Sequence, residues 1–278
     1  MTDDVKKLVD DLATVEAAAG DYEENGILFC GKCRTPRQRW VDWPNGSGRR
    51  LVRASCRCEQ ESEEQARNEA DLEKFMTQME ALWSDGITDK SYLGHRFSDD
   101  GDPTARNSVV CRRYVDRWDE MRGDNMGVLL YGPVGTGKSF LACCVANALL
   151  EKRVPVAVTS FPRLLNLLQS TNDKQQLLDR LQRYKLLVID DLGVERDSAF
   201  ALEQVFNVID ARSRSGLPLI VTTNLSMQEL KNPGDSQRQR IYDRILELCP
   251  IPLKLTGESR RVANTARRLQ KARELLGE

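Results

Sequence analysis

Five short apolar runs alternate with helical patterns along the second half of the chain. The runs cover residues 127–131, 154–159, 186–189, 219–221 and 252–255. Unbroken apolar runs of this length are typical of strands that are buried on both faces of a parallel sheet. The pattern therefore predicts an α/β fold with a five-stranded parallel sheet between helices. Residues 161–184 are long enough for two helices, where a crossover needs only one.

The first third of the chain has a different pattern. Residues 4–19 carry apolar side chains at helical spacing, which predicts an amphipathic helix that packs on the next domain or docks on another protein. Residues 59–80 predict a second helix, and residues 84–107, rich in Gly, Asp and Ser, predict a linker. The predicted domains are a partner-interaction module at 1–83, a linker at 84–107 and a nucleotide domain at 108–278.

A phosphate-binding motif follows the first predicted strand. Residues 132–139 match the pattern G-x-x-x-x-G-K-[ST] and lead into a predicted helix. Glycines let backbone N–H groups approach a polyphosphate, the lysine adds a charge, and the serine hydroxyl is placed to bind Mg²⁺. The predicted nucleotide contacts are Gly132, Pro133, Val134, Gly135, Thr136, Gly137, Lys138, Ser139 and Phe140.

Two further strands end in polar residues. The run 185–189 is followed by Asp190 and Asp191, the layout of a Walker B motif. In this interpretation Asp190 holds Mg²⁺ through water and Asp191 polarises the attacking water, although a glutamate is more usual at the second position. Asn224 follows the fourth strand and is a candidate to orient the attacking water or touch the γ-phosphate.

Four cysteines in two close pairs precede this domain. Cys30, Cys33, Cys56 and Cys58 match a structural zinc site, which we favour over unliganded thiols, although C-x-C is a less common spacing than C-x2-C. Between the pairs, Trp40 and Trp43 lie among arginines, so this loop is a candidate either for base stacking or for a protein-binding face. The remaining cysteines, Cys111, Cys143, Cys144 and Cys249, are expected to be core thiols.

Composition adds constraints on location and partners. The 278 residues are 40% hydrophobic with a net charge of −1, and no apolar run approaches the length of a membrane span. The N-terminus does not resemble a secretory signal, so we expect a cytoplasmic protein without a membrane partner. Acidic residues cluster in 1–25, whereas 30–58 and the tail after Gly257 are basic. The single histidine, His95, is expected to be a surface or packing residue.

These motifs, taken in order, resemble the AAA+ ATPases of the DnaC/DnaI helicase-loader group and the related IstB-type transposition helpers. The resemblance covers about residues 100–261 and includes Asp243-Arg244-Ile245. It implies that Arg244 is an arginine finger acting on a neighbouring subunit, with Arg240 as the runner-up, and that Arg261 is a sensor-2-like nucleotide contact. It also implies that the helices of 161–184 contact single-stranded DNA, with Phe161, Arg163 and Lys174 as candidates. The alternative for each of the three is an ordinary residue of a surface helix.

The resemblance implies a function. We expect a Mg²⁺-dependent ATPase that loads a replicative DnaB-type helicase onto single-stranded DNA, assembles as a homo-oligomeric ring or spiral with ATP, and carries zinc in its N-terminal module. Two alternatives stay open at this point. One is a transposition helper ATPase, and the other is a nucleotide-switched adaptor with little turnover.

Overall fold

The computed structural model describes residues 15–42, 48–84, 86–193, 198–257, 259 and 269–276. The chain divides into two compact units, Met1–Thr77 and Gln78–Glu278. None of the helices in the described part is long and apolar enough to cross a membrane. The predicted helix at 4–19 lies mostly outside the described residues, and the described residues 15–19 are not helical.

The first unit contains two small antiparallel hairpins followed by a long helix. The elements are β1 (Tyr22–Glu24), β2 (Ile27–Phe29), β3 (Gln38–Asp42), β4 (Arg49–Arg53) and α1 (Arg57–Trp83). The first hairpin pairs β1 with β2, and the second pairs β3 with β4 so that Trp40 lies opposite Leu51. The helix α1 confirms the prediction for residues 59–80, and the division between the two units falls within it.

The second unit is built on the predicted sheet of five parallel strands. The strands are β5 (Val128–Tyr131), β6 (Val156–Ser160), β7 (Leu186–Leu192), β8 (Leu219–Thr223) and β9 (Ile251–Lys254). Their order across the sheet is β6-β7-β8-β5-β9. Consecutive residues of a strand point to opposite faces, and all five residues of β8 are buried, so the sheet is covered on both faces.

Helices connect and cover these strands. Two helices lie between β6 and β7, as the length of residues 161–184 predicts. The helices are α2 (Arg106–Asp116), α3 (Trp118–Gly123), α4 (Lys138–Glu151), α5 (Phe161–Ser170), α6 (Lys174–Leu181), α7 (Ala199–Ser215), α8 (Met227–Lys231) and α9 (Ser236–Leu248). α2 packs on α4, and α7 packs on α5, α6 and α9.

Much of the segment predicted as a linker, residues 84–107, packs within the second unit. Ile87 is fully buried, and the N–H of Asp89 donates to the carbonyl of Val158 on the edge strand β6 at 2.9 Å. The indole of Trp83 donates to the carbonyl of Val156 on the same strand at 3.2 Å. These bonds satisfy carbonyl groups that a sheet edge would otherwise expose. Gly, Asp and Ser in this segment therefore form short turns against the sheet.

The candidate DNA-contacting side chains of α5 and α6 are differently placed. Phe161 is 1% exposed and belongs to the core, so it is not available to stack on a base and that prediction is wrong. Arg163 donates from Nε to the carbonyl of Gly86 at 2.8 Å, whereas the exposed Lys174 places its ammonium 4.8 Å from the centre of the Phe200 ring.

A buried arginine lies at the end of the sheet where β7 and β8 begin. Arg212 on α7 is fully buried, and its guanidinium donates to the backbone carbonyls of Pro218, Tyr184, Lys185 and Leu181. These carbonyls belong to the segments that lead into β7 and β8. Arg212 therefore links these two segments through hydrogen bonds that burial makes costly to lose. The four cysteines predicted as core thiols are also buried in this unit, which confirms that prediction.

Candidate nucleotide site and four-cysteine cluster

The phosphate loop lies between β5 and the first turn of α4. Gly132, Gly135 and Gly137 have positive φ angles of 137°, 82° and 98°. A Cβ atom on Gly132 would lie 2.1 Å from the carbonyl oxygen of Leu255, and one on Gly135 would lie 2.0 Å from Ser259 Oγ. Larger residues are therefore excluded both by backbone conformation and by the close approach of the chain after β9.

Lys138 is the first residue of α4 and is 4% exposed. Its Nζ donates to the carbonyl oxygens of Gly132 at 2.9 Å and of Pro133 at 2.7 Å. A buried ammonium needs such partners, and they hold the charge over the concave side of the loop. Ser139 and Phe140, which follow, are half-buried, and the Phe140 ring meets the edge of the exposed His95 ring at 5.5 Å.

The two predicted Walker B carboxylates form a β-bulge. Ile189 pairs with Val221 and Leu192 pairs with Thr223, so Asp190 and Asp191 together oppose the single residue Thr222. A bulge of this kind turns a side chain away from its regular strand position. Asp191 has a φ of 59°, which is the left-handed region that Asp tolerates better than most residues. The backbone thus explains why an aspartate can occupy the position where a glutamate is more usual.

Thr222 bonds the carboxylate of Asp190 and the backbone of Asp191. Its hydroxyl donates to Asp190 Oδ1 and accepts a hydrogen bond from the N–H of Asp191 at 3.0 Å. Asp190 Oδ2 accepts from the hydroxyl of Tyr92 at 3.2 Å. Burial and the nearby Asp190 raise the pKa of the Tyr92 phenol, so this hydroxyl stays protonated and donates. Sequence reasoning assigned no role to Thr222 or Tyr92, although the parallel register places the end of β8 beside the carboxylates of β7.

The sheet brings the phosphate loop and this bulge to one edge. β8 lies between β5 and β7, and the N–H of Gly132 donates to the carbonyl of Thr223 at 3.3 Å. Asn224 follows directly and is exposed at the same edge. A P-loop, a carboxylate pair and a polar strand end at the carboxyl edge of a parallel sheet can hold a nucleoside triphosphate and a divalent cation.

A cavity of about 210 Å³ adjoins the phosphate loop. It is lined by Thr136 of the loop, Leu141 of α4, Leu255 after β9 and several residues between Asp100 and Ser108. Ser108 is 1% exposed, and its Oγ has no hydrogen-bond partner in the part of the chain that the structure describes. Sequence analysis did not find this cavity because its walls come from four separate segments.

The predicted arginine finger is on α9. Arg244 is half-buried and forms ion pairs with Asp210 at 3.2 Å and with Glu247 at 3.4 Å. With Phe206 and the exposed Arg240, it lines an open cavity of about 430 Å³ between α7 and α9. Both candidate finger residues thus belong to one surface depression. Arg261 and Trp43 lie outside the described residues.

The four cysteines of the first unit form one cluster. Their Sγ atoms all lie within 4.8 Å of one another, with Cys30 and Cys58 at 3.5 Å and Cys56 and Cys58 at 3.3 Å. Four sulfurs around Zn²⁺ at about 2.3 Å each would be roughly 3.8 Å apart, so the cluster fits tetrahedral zinc. The cluster predicted from spacing alone is therefore present in the fold.

The two cysteine pairs are presented differently. Cys30 and Cys33 lie on a turn closed by the N–H of Arg34 donating to the carbonyl of Cys30, whereas Cys56 and Cys58 flank the first residue of α1. The start of a helix can place two thiols one residue apart on the same side, which accounts for the C-x-C spacing. Helix N–H groups also favour thiolates.

The thiol pKa values reflect this crowding. The Thr35 hydroxyl lowers the pKa of Cys33 to about 5, whereas hydrogen bonds with Cys56 and Cys30 raise the pKa of Cys58 to about 12. Four thiolates so close together repel one another, and a divalent cation would offset that repulsion. The guanidinium of Arg37 donates to the carboxylate of Asp21 at 2.5 Å and to that of Glu59 at 2.7 Å. It therefore links residues near the two cysteine pairs.

The second hairpin carries an exposed aromatic side chain. Trp40 is 48% exposed on β3, opposite Leu51 and beside the ion pair of Asp42 and Arg49. The hairpin therefore presents an aromatic ring among charged groups, consistent with either hypothesis for this loop.

The fold and the site define a P-loop nucleotide-binding protein with a five-stranded parallel sheet. A protein-family model described as IstB-like ATP binding protein matches residues 95–268, and the chain belongs to this family.

The chain is also similar to proteins with assigned roles. It is 31% identical over 152 residues to the replicative helicase loader DnaI of Bacillus subtilis (strain 168), covering 50% of this chain and 49% of that one. It is 29% identical over 145 residues to the replicative helicase loader DnaC of Escherichia coli (strain K12), covering 50% and 57%. The chain thus spans about half the length of these curated relatives.

A solved structure supports the fold. The crystal structure of DnaI matches 61% of this chain and 95% of its own with a TM-score of 0.52 and 23% sequence identity. This match confirms the predicted α/β architecture of the second unit.

Proposed function

We propose that the protein is an ATP-dependent loader of a replicative DnaB-type helicase onto single-stranded DNA. The observation that carries this proposal is the joint presence of a P-loop site in the second unit and a four-cysteine module in the first. Both curated relatives described above are named replicative helicase loaders, which supports the same function.

The nucleotide site would work as follows. Triphosphate oxygens replace the loop carbonyls as partners of Lys138, and the base enters the cavity beside Thr136, where Ser108 offers a buried hydroxyl. Ser139 and Asp190 would hold Mg²⁺, which supplies charge stabilisation to the phosphates. Asp191, turned out of the strand by the bulge, is the candidate to orient the attacking water, and Asn224 at the neighbouring strand end is the candidate to contact that water or the γ-phosphate.

Assembly would complete the site. Arg244 and Arg240 line one open depression, and the ion pairs to Asp210 and Glu247 hold the Arg244 guanidinium ready for a neighbouring subunit. A finger supplied in trans implies a head-to-tail ring or spiral. Mixing Arg244→Ala and Lys138→Ala proteins should restore part of the lost hydrolysis, because some interfaces then pair an intact loop with an intact finger. No rescue in a mixture shown to co-assemble would remove Arg244 from this role.

The first unit would hold zinc and the helicase. Cys30, Cys33, Cys56 and Cys58 are the zinc ligands in this proposal, and the exposed Trp40 hairpin is part of the partner surface. The decisive experiment is a binding assay between a DnaB-type helicase and the full chain, with Trp40→Ala as a surface variant. Binding that needs zinc but neither DNA nor nucleotide is expected. Absence of helicase binding by the zinc-loaded protein would refute the loader function.

A transposition helper is the second candidate, because the family model takes its name from this class. The two functions differ in the DNA they need. A loader should bind single-stranded DNA more tightly than duplex when ATP is present, with an affinity that falls as salt rises. Tighter binding to duplex DNA, together with indifference to the helicase, would favour the helper.

A further inference from the structure

One residue outside the predicted site motifs reaches the Walker B carboxylate. Tyr92 lies in a short 3₁₀ turn, Lys90–Gly94, within the segment that the sequence predicted as a linker. Its hydroxyl donates to Asp190 Oδ2 at 3.2 Å, while Thr222 donates to the other oxygen of the same carboxylate. Each oxygen of Asp190 therefore accepts one hydroxyl hydrogen bond. A carboxylate has about four acceptor positions, so both oxygens retain capacity for the waters of a cation.

The position of this tyrosine is set by the helix that carries the phosphate loop. Asn147 on α4 is 2% exposed, and its amide donates to the carbonyl of Tyr92 at 3.1 Å and to the carbonyl of His95 at 2.7 Å. Asp89 caps the start of the turn by accepting from the N–H of Ser91 at 2.9 Å. The turn is thus tied to α4 at its end and to the sheet edge at its beginning. A buried amide with two carbonyl partners holds such a turn firmly.

We propose that Tyr92 is a positioning residue of the nucleotide site, which fixes the rotation of the Asp190 carboxylate from the side opposite Thr222. The inference rests on the proposed function, in which Asp190 serves Mg²⁺. Outer-shell groups that orient a carboxylate act on how tightly the site holds its cation. Tyr92 itself contacts neither the nucleotide nor the cation in this proposal and acts only through Asp190.

The first experiment measures how nucleotide affinity depends on Mg²⁺. A fluorescent ATP analogue is titrated into the full chain at a series of Mg²⁺ concentrations for the wild type and Tyr92→Phe, which keeps the ring and removes the hydroxyl. Half-maximal binding of Tyr92→Phe should need about tenfold more Mg²⁺, with affinity recovering at saturation. Tyr114→Phe is the matched control, because the Tyr114 hydroxyl donates to the carbonyl of Met126 at 2.8 Å, among the core residues of the same unit.

The outcomes separate this inference from the proposed function. A Mg²⁺ requirement in the wild type that Tyr92→Phe leaves unchanged would overturn the positioning role and leave the ATPase proposal standing. A shift of equal size in Tyr114→Phe would show a general loss of stability and would also overturn it. A wild type whose nucleotide affinity ignores Mg²⁺ would overturn both proposals.

The second experiment needs neither nucleotide nor Mg²⁺. Urea unfolding of the wild type, Tyr92→Phe, Asp190→Ala and the double variant forms a double-mutant cycle. If the Tyr92 hydroxyl donates to Asp190 in the nucleotide-free protein, the two substitutions should not be additive. The change in unfolding free energy of the double variant should then be smaller than the sum of the two single changes. Strict additivity of the two substitutions would contradict the hydrogen bond on which the inference depends.

Discussion

The two units of this chain are stabilised in different ways. Among the described residues of the first unit, only Cys30 and Cys56 are buried, whereas the second unit buries whole strands and most of α4. Hairpins whose strands have only three to five residues each cannot enclose an apolar core. One chain thus combines a region that has a four-cysteine cluster, ion pairs and little apolar burial with a region that depends on apolar burial.

Removal of zinc is the largest expected effect and acts on the first unit alone. Structural zinc sites contribute about 10 kcal/mol or more to the folding of such small modules. A strong chelator, or Cys56→Ser, should therefore unfold the hairpins, seen as a change in Trp40 fluorescence. Nucleotide binding by the second unit should persist. Loss of ATP binding by Cys56→Ser at saturating Mg²⁺ would contradict the separate stabilisation of the two units.

Removal of the Lys138 charge should affect the second unit and leave the first unit unchanged. Lys138→Ala is expected to lower ATP hydrolysis by about a hundredfold or more, since it deletes a buried charge that, in the proposed function, binds the phosphates. Zinc content, measured by metal analysis, should stay at one ion per chain.

Asp191→Asn is the companion variant, because Asn also tolerates a φ of 59° and removes only the charge. It should bind ATP and fail to hydrolyse it, and full turnover would exclude Asp191.

Substitution of Arg212 tests whether apolar burial alone accounts for the stability of the second unit. Arg212→Lys retains a charge but cannot reach all four carbonyl groups, so we expect a loss of about 2–4 kcal/mol of unfolding free energy. Urea unfolding followed by far-UV circular dichroism measures this loss. A change below about 0.5 kcal/mol, the range of ordinary surface substitutions, would show that the guanidinium network contributes little.

The smallest expected effect is a gain in stability at the bulge. Asp191→Gly should stabilise the second unit by about 1 kcal/mol, because glycine relieves the left-handed backbone and the substitution removes a charge next to Asp190. Hydrolysis should be lost in the same protein. An unchanged or lower midpoint of unfolding would indicate that the bulge stores no strain.

Local patterns were sufficient for the elements that repeat or follow strict spacing. Apolar runs located the five strands within a few residues, because β5, β6, β7 and β8 are buried along most of their length and are therefore mostly apolar. The spacing of Cys30, Cys33, Cys56 and Cys58 anticipated a cluster that the fold brings within 4.8 Å. The conformation of the phosphate loop was equally predictable from the sequence, because its positive φ angles favour glycine.

Other features depended on which segments meet in space. Composition predicted residues 84–107 to be a linker, yet their turns cover the edge of β6 and deliver Tyr92 to Asp190. Phe161 resembled an exposed aromatic on a surface helix and is instead in the core.

The sequence alone determined the chemistry available to this protein: a phosphate loop, a pair of carboxylates and four thiols at fixed spacing. Only the tertiary structure decided which groups act on them, because Thr222, Tyr92 and the cavity beside Ser108 come from segments far apart along the chain. Hydrogen bonds between such distant segments depend on strand order and register. Both are decided by which apolar surfaces are buried together in the folded chain, and neither produces a periodic pattern in the sequence.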